Sequence, residues 1–160
     1  MGLRSHFVAS YYAAPLLIAN GRGLIVNTGH YGAVSYYQGP IYGAQKAGAN
    51  KMAADMAKEL RPHNVAAVSI WMGNVDTERS RAYYATVSLR DGLQLESPQF
   101  TGRVIAALYA SEERMPLSGQ ALIGAELAER LGVLDIDGRQ PPPLRRTLGA
   151  PHELDETLRP

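Results

Sequence analysis

The stretch that decides the fold is YGAQK at residues 42–46, which opens a long apolar-periodic run, residues 42–60, after a glycine–proline turn signal. Tyr42 and Lys46 are four residues apart, so they lie on one face of the helix that this run predicts. An ammonium group near a phenol favours the phenolate by charge attraction, and we therefore expect Lys46 to lower the pKa of Tyr42. A tyrosine tuned in this way can pass a proton to or from an oxygen. The same pair also fits a plain helix start with a solvated lysine, and the flanking sequence decides between the two.

Two apolar segments flank the predicted helix and read as short buried strands, residues 23–28 before it and 65–71 after it. The second strand is followed by Gly73, Val75 and Thr77, so the chain runs strand, loop, YxxxK helix, strand and G-x-V-x-T. This order resembles the short-chain dehydrogenase/reductase family.

The resemblance extends over roughly residues 1–125. Within the family the pattern is most similar to the branch of dehydrogenase/reductase member one, through the helix sequence, the VSIW strand end and the segment LSGQALIGAELAERLGVLDIDGR. The resemblance implies hydride transfer between NAD or NADP and a carbonyl or alcohol group of a small-molecule substrate. Tyr42 would act as general acid/base, and Lys46 would tune it and hold the nicotinamide ribose.

The resemblance also implies a set of cofactor contacts. They fall on Asn27, Tyr42, Lys46, Gly73, Val75 and Thr77. In the family the hydroxyl at the place of Thr77, with nearby backbone, holds the nicotinamide carboxamide. Thr77 followed by Glu78 is equally suited to cap the start of a helix, and the two roles are compatible. The choice between NAD and NADP depends in the family on residues of its amino-terminal half.

One place departs from the family pattern. The family's strand ends in a serine pair, one member of which hydrogen-bonds the substrate oxygen, and those places fall here on Gly29 and His30. A neutral imidazole can donate a hydrogen bond, so His30 is a candidate catalytic residue in place of the serine. Otherwise it is an ordinary loop histidine in a degraded site, and Ser35 lies too far along the loop to take the role without a rearrangement. The loop also carries aromatic residues that either line an apolar substrate pocket or pack on the core, namely Tyr31, Tyr36 and Tyr37.

The periodicity of the whole chain predicts alternating helices and strands. Helices are expected at residues 3–19, 42–60 and 98–111, strands at 23–28, 65–71 and 119–124, and a helical turn at 125–131. Three strands that alternate with helices predict an α/β fold, a partial Rossmann-like, doubly wound parallel sheet. Pro15 is expected to kink the first helix. Residues 79–96 correspond to the variable substrate lid of the family. We expect one domain over residues 1–132 and an extended, solvated tail over 133–160.

The family's first βαβ units, and with them its cofactor phosphate loop, are absent from the 160 residues. No G-x-G-x-x-G turn follows a strand, and no acidic residue is placed to bind a ribose hydroxyl. The asparagine that the family often carries in the helix before the first strand is replaced by Gly2. We therefore expect the carboxy-terminal half of a family member, inactive alone. Two interpretations are open. The chain is either a truncated form of an active oxidoreductase or a non-catalytic binding or structural relative.

Composition excludes several other classes of function. The 160 residues are 46% hydrophobic and 19% charged with a formal net charge of +1, which argues against disorder and gives no reason to invoke nucleic acid. There is no cysteine, so disulfides and thiolate chemistry are excluded, and no metal site is expected. No apolar run is long enough to span a membrane, and we expect a cytoplasmic protein. In the family the helices at 3–19 and 42–60 pair with their copies, which implies a homo-oligomer.

Overall fold

The computed structural model describes residues 2–86 and 94–153. Its helices are α1 (Gly2–Ala19), α2 (Pro40–Leu60), α3 (Glu78–Thr86), α4 (Pro98–Ala110), α5 (Gly124–Leu131) and α6 (Arg145–Leu148), and its strands are β1 (Gly23–Gly29), β2 (Val65–Trp71) and β3 (Ala121–Ile123). Single turns of 3₁₀ helix lie between them at Tyr31–Ala33, Arg61–His63 and Glu112–Arg114. Residues 87–93 of the expected lid and 154–160 of the expected tail lie outside the described residues.

Within the described ranges the strands form one parallel sheet in the order β1-β2-β3. Gly23 faces Val65 and Gly29 faces Trp71 along the ladder between β1 and β2. α2 makes the crossover from β1 to β2, and α3 and α4 lie in the connection from β2 to β3. Parallel neighbours need such crossovers, and the arrangement confirms the predicted Rossmann-like α/β fold.

The predicted elements differ from the structure mainly at their ends, and the helices α3 and α6 were not predicted. α2 begins at Pro40, because a proline suits the first turn of a helix, where its missing N–H has no intrahelical partner. α1 continues through Pro15 to Ala19, the end that was predicted for it. β3 is shorter than expected, since Gly119 adopts a φ of 99° in the preceding turn and α5 begins directly after Ile123. The expected helical turn is a full helix, α5.

β2 lies at the centre of the core, and all seven of its residues are buried. Because side chains alternate across a sheet, β2 contributes to a cluster on each face. One cluster holds Val68, Ile70, Phe100, Val104, Leu108, Leu117, Leu127 and Ala128, and the other holds Ile25, Ala57, Leu60, Val65 and Ala67. The first cluster packs the sheet against α4 and α5, and the second packs it against α2.

The amino-terminal flank of the sheet is covered less completely. β1 alternates buried and half-buried residues along its length. Apolar residues of α1 divide between core and solvent. Ala14, Leu17 and Ile18 pack against the second cluster, whereas Phe7 is 54% exposed, Tyr11 64% and Leu16 73%. This flank therefore carries apolar surface that the described residues do not bury.

In α2 the small residues of the apolar-periodic run at 42–60 pack against the sheet only in part. Ala49, Ala53 and Ala57 are buried, and their small side chains let the helix approach the sheet closely. Ala44 and Ala47 belong to the same apolar-periodic run but are exposed, because the helical period turns them to the opposite face. The face of α2 away from the sheet thus carries these small side chains together with charged residues such as Lys51 and Asp55.

The expectation of a solvated tail is wrong for residues 133–149. Asp135 is 4% exposed and accepts a hydrogen bond from the Ser97 amide at 2.7 Å and another from the Ser97 hydroxyl. Leu144 and Leu148 pack against the buried pair of Tyr31 and Trp71. The segment stays folded back because these apolar and carboxylate groups find buried partners, which a proline-rich composition does not reveal.

Candidate active site

The carboxyl ends of β1 and β2 lie side by side, at Gly29 and Trp71, and most of the candidate residues gather there. The loops 30–39 and 72–77 leave the sheet at this edge. The first turns of α2 pack against the loop that follows β1. In open α/β sheets ligands bind outside the carboxyl ends of the strands, so the predicted residues come together where the fold favours a site.

Lys46 is a buried cation at the base of this site. Its Nζ donates a hydrogen bond to the main-chain oxygen of Thr28 at 3.0 Å and lies 5.5 Å from the centroid of the Tyr42 ring. Burial lowers the pKa of Lys46. An ammonium group carries three N–H donors, so the bond to Thr28 leaves two for a ligand hydroxyl.

The pKa of Tyr42 is raised, first because the phenol is buried and then because of the neighbouring Tyr37. The expectation that Lys46 lowers this pKa is wrong for the structure. The ammonium group sits over the ring and bonds to the backbone, and desolvation, which disfavours the phenolate, decides the direction. Tyr42 is therefore a neutral phenol at neutral pH, the form that can donate a proton.

His30 packs between two tyrosines, with ring centroids 5.5 Å from Tyr42 and 4.5 Å from Tyr37. Its Nδ1 accepts a hydrogen bond from the Gly32 amide at 2.9 Å, which assigns the proton of the neutral ring to Nε2. Burial, followed by the charge of Lys46, lowers the pKa of His30 to about 4. At neutral pH His30 is thus an uncharged ring with one N–H donor, the property that replacing a serine hydroxyl requires.

Two glycines determine which side chains the site can hold. A Cβ at Gly29 would lie 2.3 Å from Cδ1 of Trp71 and 2.5 Å from Oγ of Ser69. A Cβ at Gly32 would lie 2.7 Å from Cε1 of Tyr42. A serine at position 29 would therefore require β2 side chains to shift, and of the two places expected for the missing hydroxyl only position 30 is free of this clash.

The loop after β2 is tied to the segment before α4 through Glu96, a residue that the sequence did not single out. The Gly73 amide donates to Oε1 of Glu96 at 3.0 Å, and Val75 forms a parallel bridge with the same residue. Glu96 is 3% exposed, and burial raises its pKa to about 7. In the sequence it resembles any acidic residue before a helix start, so no local signal distinguishes it.

Two of the expected cofactor residues use their side chains within the fold. Oγ1 of Thr77 accepts from the Ser80 amide at 3.2 Å, which is the helix-capping role that the sequence allowed. Asn27 is 1% exposed and its amide donates to the Ala49 oxygen at 3.1 Å. The side chain of Asn27 therefore ties β1 to α2, and its expected contact with a cofactor stays a prediction.

The loop aromatics divide between the two roles that the sequence left open. Tyr31 is 1% exposed, lies 5.2 Å from Trp71 between ring centroids, and accepts a hydrogen bond from the Leu144 amide at 3.2 Å through its hydroxyl. It packs on the core. Tyr36 is 89% exposed, and Tyr37 lies beside His30. Among these loop aromatics, Tyr37 is the one that contacts both His30 and Tyr42.

Comparison with known proteins agrees with this geometry. The sequence model of the family described as short chain dehydrogenase matches residues 1–87. The chain belongs to this family. Dehydrogenase/reductase SDR family member 1 of Mus musculus and its counterpart of Homo sapiens are each 37% identical to it over 149 residues, which is 87% of this chain and 48% of the relative. The short-chain dehydrogenase chain thus spans about half the length of the curated relatives it matches.

A solved 4-hydroxyisoleucine dehydrogenase complexed with NADH has a similar fold, with a TM-score of 0.64 and 22% identity over 76% of this chain and 54% of that one. At this identity the likeness supports the short-chain dehydrogenase fold alone. In the part of the chain that the structure describes, no helix combines the length and hydropathy needed to cross a bilayer. Over the same residues, no three His, Cys, Asp or Glu side chains cluster closely enough to bind a metal ion.

Proposed function

We propose that this short-chain dehydrogenase chain forms the catalytic, carboxy-terminal half of an oxidoreductase that transfers hydride between NAD(P) and a carbonyl or alcohol. The observation that carries the proposal is the cluster of Tyr42, Lys46 and neutral His30 at the carboxyl ends of β1 and β2. Each of the three side chains offers a hydrogen to an oxygen atom. Family membership supports the oxidoreductase class, and the substrate is a small molecule of that chemistry.

Tyr42 carries the proton in the proposed reaction, while a bound nicotinamide supplies or accepts the hydride. Because burial raises its pKa, the phenol is protonated at neutral pH and can give its proton to the carbonyl oxygen during reduction. In the opposite direction the phenolate takes the proton of the alcohol. The Nε2–H of His30 would hydrogen-bond the same oxygen and stabilise the negative charge that develops there.

The residues present fit the nicotinamide end of the cofactor. One N–H of the Lys46 ammonium group bonds to the Thr28 oxygen, and the other two can donate to the ribose hydroxyls. The loop from Gly73 to Thr77 borders the same edge of the sheet and supplies main-chain groups for a carboxamide. A solved relative in complex with NADH supports a nicotinamide cofactor, and NAD and NADP are both compatible with these residues.

The pyrophosphate end of a dinucleotide needs a glycine-rich turn at a helix N-terminus, and the 160 residues contain none after a strand. We propose that a further segment, equivalent to the amino-terminal half of the relatives, completes the site beside β1. A groove of about 280 Å³ runs there between α1 and β1, with Leu17, Leu24 and Val26 among its lining residues. The half-buried residues of β1 also support the addition of a segment on this side of the sheet.

We further propose that copies of the protein pair through residues 3–19 and 42–60. Exposed apolar residues lie on α1 and at the start of α2, namely Phe7, Tyr11, Tyr12, Leu16 and Ile41. Contiguous apolar surface on a protein commonly marks an interaction site. The cysteine-free composition suits a reducing compartment, and we propose a cytoplasmic location.

The test compares the chain alone with a completed protein. The amino-terminal half of the mouse relative is joined to the chain or supplied as a second polypeptide, and NADH and NADPH binding is measured by calorimetric titration. Alone, the chain should associate and bind neither nucleotide tightly, whereas the completed protein should bind one of them and reduce carbonyls. A folded, completed protein that binds neither would overturn the proposal. Micromolar, stoichiometric binding by a monomer of the 160 residues would show that the cofactor site lies elsewhere.

In the completed protein, Tyr42→Phe removes the proton carrier and keeps the ring. Turnover should fall by about 10²–10⁴-fold, the usual contribution of general acid–base catalysis. Tyr37→Phe makes the same change on the neighbouring ring and should have a small effect. Lys46→Ala should weaken cofactor binding as well as turnover. A loss of only about threefold in Tyr42→Phe would be too small for a general acid and would remove Tyr42 from the role.

Variants of His30 distinguish the proposed enzyme from the second candidate, which is a non-catalytic relative with a binding or structural function. That candidate is favoured by one observation, the exclusion of a serine at Gly29 by Trp71 and Ser69. If His30 replaces the hydroxyl, His30→Ala should lower kcat and His30→Ser should restore or raise it. Kinetics that neither variant changes would mean that His30 is a bystander in a degraded site.

A further inference from the structure

Glu96 holds the start of the 73–77 loop from outside it, while Ser80 and Arg81 bond to the end of the loop at Val75, Asp76 and Thr77. Glu96 accepts a hydrogen bond from the Gly73 amide on its side chain at 3.0 Å. Its main chain meets the loop twice more, donating to the Asn74 oxygen and accepting from the Asp76 amide, each at 2.9 Å. Three hydrogen bonds from a single residue therefore span the first four positions of the loop.

The Glu96 carboxyl group and Gly73 are fitted to each other. Glu96 is 3% exposed, so its carboxyl group is enclosed rather than dissolved in solvent. A Cβ at Gly73 would lie 2.9 Å from Oε2 of Glu96. Only a glycine lets the carboxyl group approach this closely, and the contact depends on both residues.

We propose that Glu96 is a positioning residue that sets how firmly the 73–77 loop is held. The proposal rests on the function proposed above insofar as this loop shapes the nicotinamide site. Glu96 acts through the loop and touches no reacting atom. Its carboxyl group bonds to Gly73 and its main chain bonds to Asn74 and Asp76, so release of the carboxyl group frees the Gly73 amide at the start of the loop.

The groups around Glu96 make the strength with which it holds the 73–77 loop depend on pH. Burial raises the pKa of Glu96 to about 7, with the Gly73 hydrogen bond opposing the shift and the charge of Asp135 adding to it. The pKa of Tyr31, on the loop after β1, is raised first by burial and to a smaller extent by the charges of Glu126 and Glu96. Asp76, the nearest acidic residue along the loop, points outward and pairs with Arg81.

Proton linkage gives the direction in which pH changes the opening of the 73–77 loop. An opened loop returns Glu96 to water, where its pKa is near 4.5, whereas in the closed loop it is about 7. The closed loop binds the proton more tightly, so it is favoured at low pH and opens more easily as the pH rises from about 4.5 to about 7. Above that range the effect is constant. Glutamine, which is neutral and of the same size, should hold the loop firmly at every pH.

The experiment is hydrogen–deuterium exchange of the 160-residue chain at pH 5 and pH 8, corrected for the intrinsic rate of exchange. Peptides over residues 72–77 should exchange faster than the core strand at 65–70, which identifies local opening. Their protection should fall at least about tenfold from pH 5 to pH 8, since one pKa unit is a factor of ten. In Glu96→Gln the protection should be the same at both pH values and exceed that of the parent at pH 8.

Two controls accompany the measurement. The exposed Glu129→Gln variant removes one carboxylate elsewhere and should keep the pH response of the parent. The surface turn at 61–64, at the other end of β2, should show no pH response. A pH-independent local opening of 72–77 in the parent, or exchange of this loop only together with the core, would overturn the proposal. The parent decides the matter even if the variant fails to fold. The exchange readout needs no nucleotide, so failure of cofactor binding in the completed protein would refute the proposed function and leave this result standing.

Discussion

The two sides of β2 differ in how completely the chain covers them. Toward β3, the helices α4 and α5 and residues 133–149 enclose side chains such as Phe100, which is 1% exposed. Toward β1, α1 leaves Phe7 54% and Leu16 73% exposed. Both flanks carry apolar periodic sequence. Apolar periodicity therefore predicts that a face of an element will be buried. It does not predict whether the residues that bury it belong to the same chain.

The candidate site lies across the boundary between these flanks. His30 and Tyr42 belong to the open side, on the loop after β1 and the start of α2. The 73–77 loop and Glu96 belong to the closed side. The proton-handling groups therefore rest on elements that we propose need a partner, while the loop assigned to the nicotinamide is already fixed by the chain itself. The following predictions test this contrast.

The two phenylalanines of the chain give the largest expected difference. Phe100→Ala leaves a cavity in the closed flank and should lower the free energy of unfolding by about 3–5 kcal/mol. Phe7→Ala, on the open flank, should change it by less than about 0.5 kcal/mol and should reduce self-association. Urea unfolding and sedimentation measure the two effects. Equal losses of stability in both variants would mean that α1 is buried in solution.

The second prediction concerns the charge buried in the closed flank. Because the pKa of Glu96 is raised from 4.5 to about 7, folding stability should fall as the pH rises between these values. The full loss is about 3 kcal/mol at 1.36 kcal/mol per pKa unit. Glu96→Gln removes it, so the variant should be more stable than the parent at pH 8 and similar at pH 4. Denaturation at several pH values tests this, with Glu129→Gln as the control, and parallel curves for Glu96→Gln and the parent would refute it.

Gly29→Ser tests whether the boundary between the flanks tolerates the family's serine. Its Cβ would lie 2.3 Å from Cδ1 of Trp71, so the buried indole must move, and we expect a loss of about 1–3 kcal/mol. Gly102→Ser is the matched control, because a Cβ there meets no atom within 4 Å. Thermal unfolding measures the difference, and Trp71 fluorescence reports the displacement. A fully stable Gly29→Ser protein with unchanged emission would show that the site can be restored to the family pattern.

The smallest effect is expected where residues 133–149 are fastened by surface charge. Arg145 forms two hydrogen bonds of 2.6 Å with the Glu126 carboxylate, and their side chains are 50% and 30% exposed. Exposed pairs contribute little, so Arg145→Gln should cost about 0.5 kcal/mol, and less at high salt. Arg146→Gln removes the neighbouring exposed charge and should cost nothing measurable. A large loss for Arg145→Gln would mean that this pair, rather than apolar packing, holds the segment.

Much of the fold follows from local pattern. The YxxxK helix, the strands that flank it and their parallel order were predictable, because periodicity and crossover length are properties of short segments. The direction of the pKa shift of Tyr42 was not, since it depends on where Lys46 bonds and on how deeply the phenol is buried. Glu96 was missed for a related reason. Its partner Gly73 is 23 positions away in the chain, and neither residue is unusual in its own segment.

The bond between the Leu144 amide and the Tyr31 hydroxyl joins residues 113 positions apart, and it implies an order of events during synthesis. A ribosome adds roughly 5–20 residues each second, so Tyr31 is made on the order of ten seconds before Leu144 exists. Throughout that interval β1 and α2 can already be formed, while the histidine loop between them lacks its fastening. The translating chain therefore forms β1 and α2 of its site first, and the loop that carries His30 gains this hydrogen bond only after Leu144 has been made.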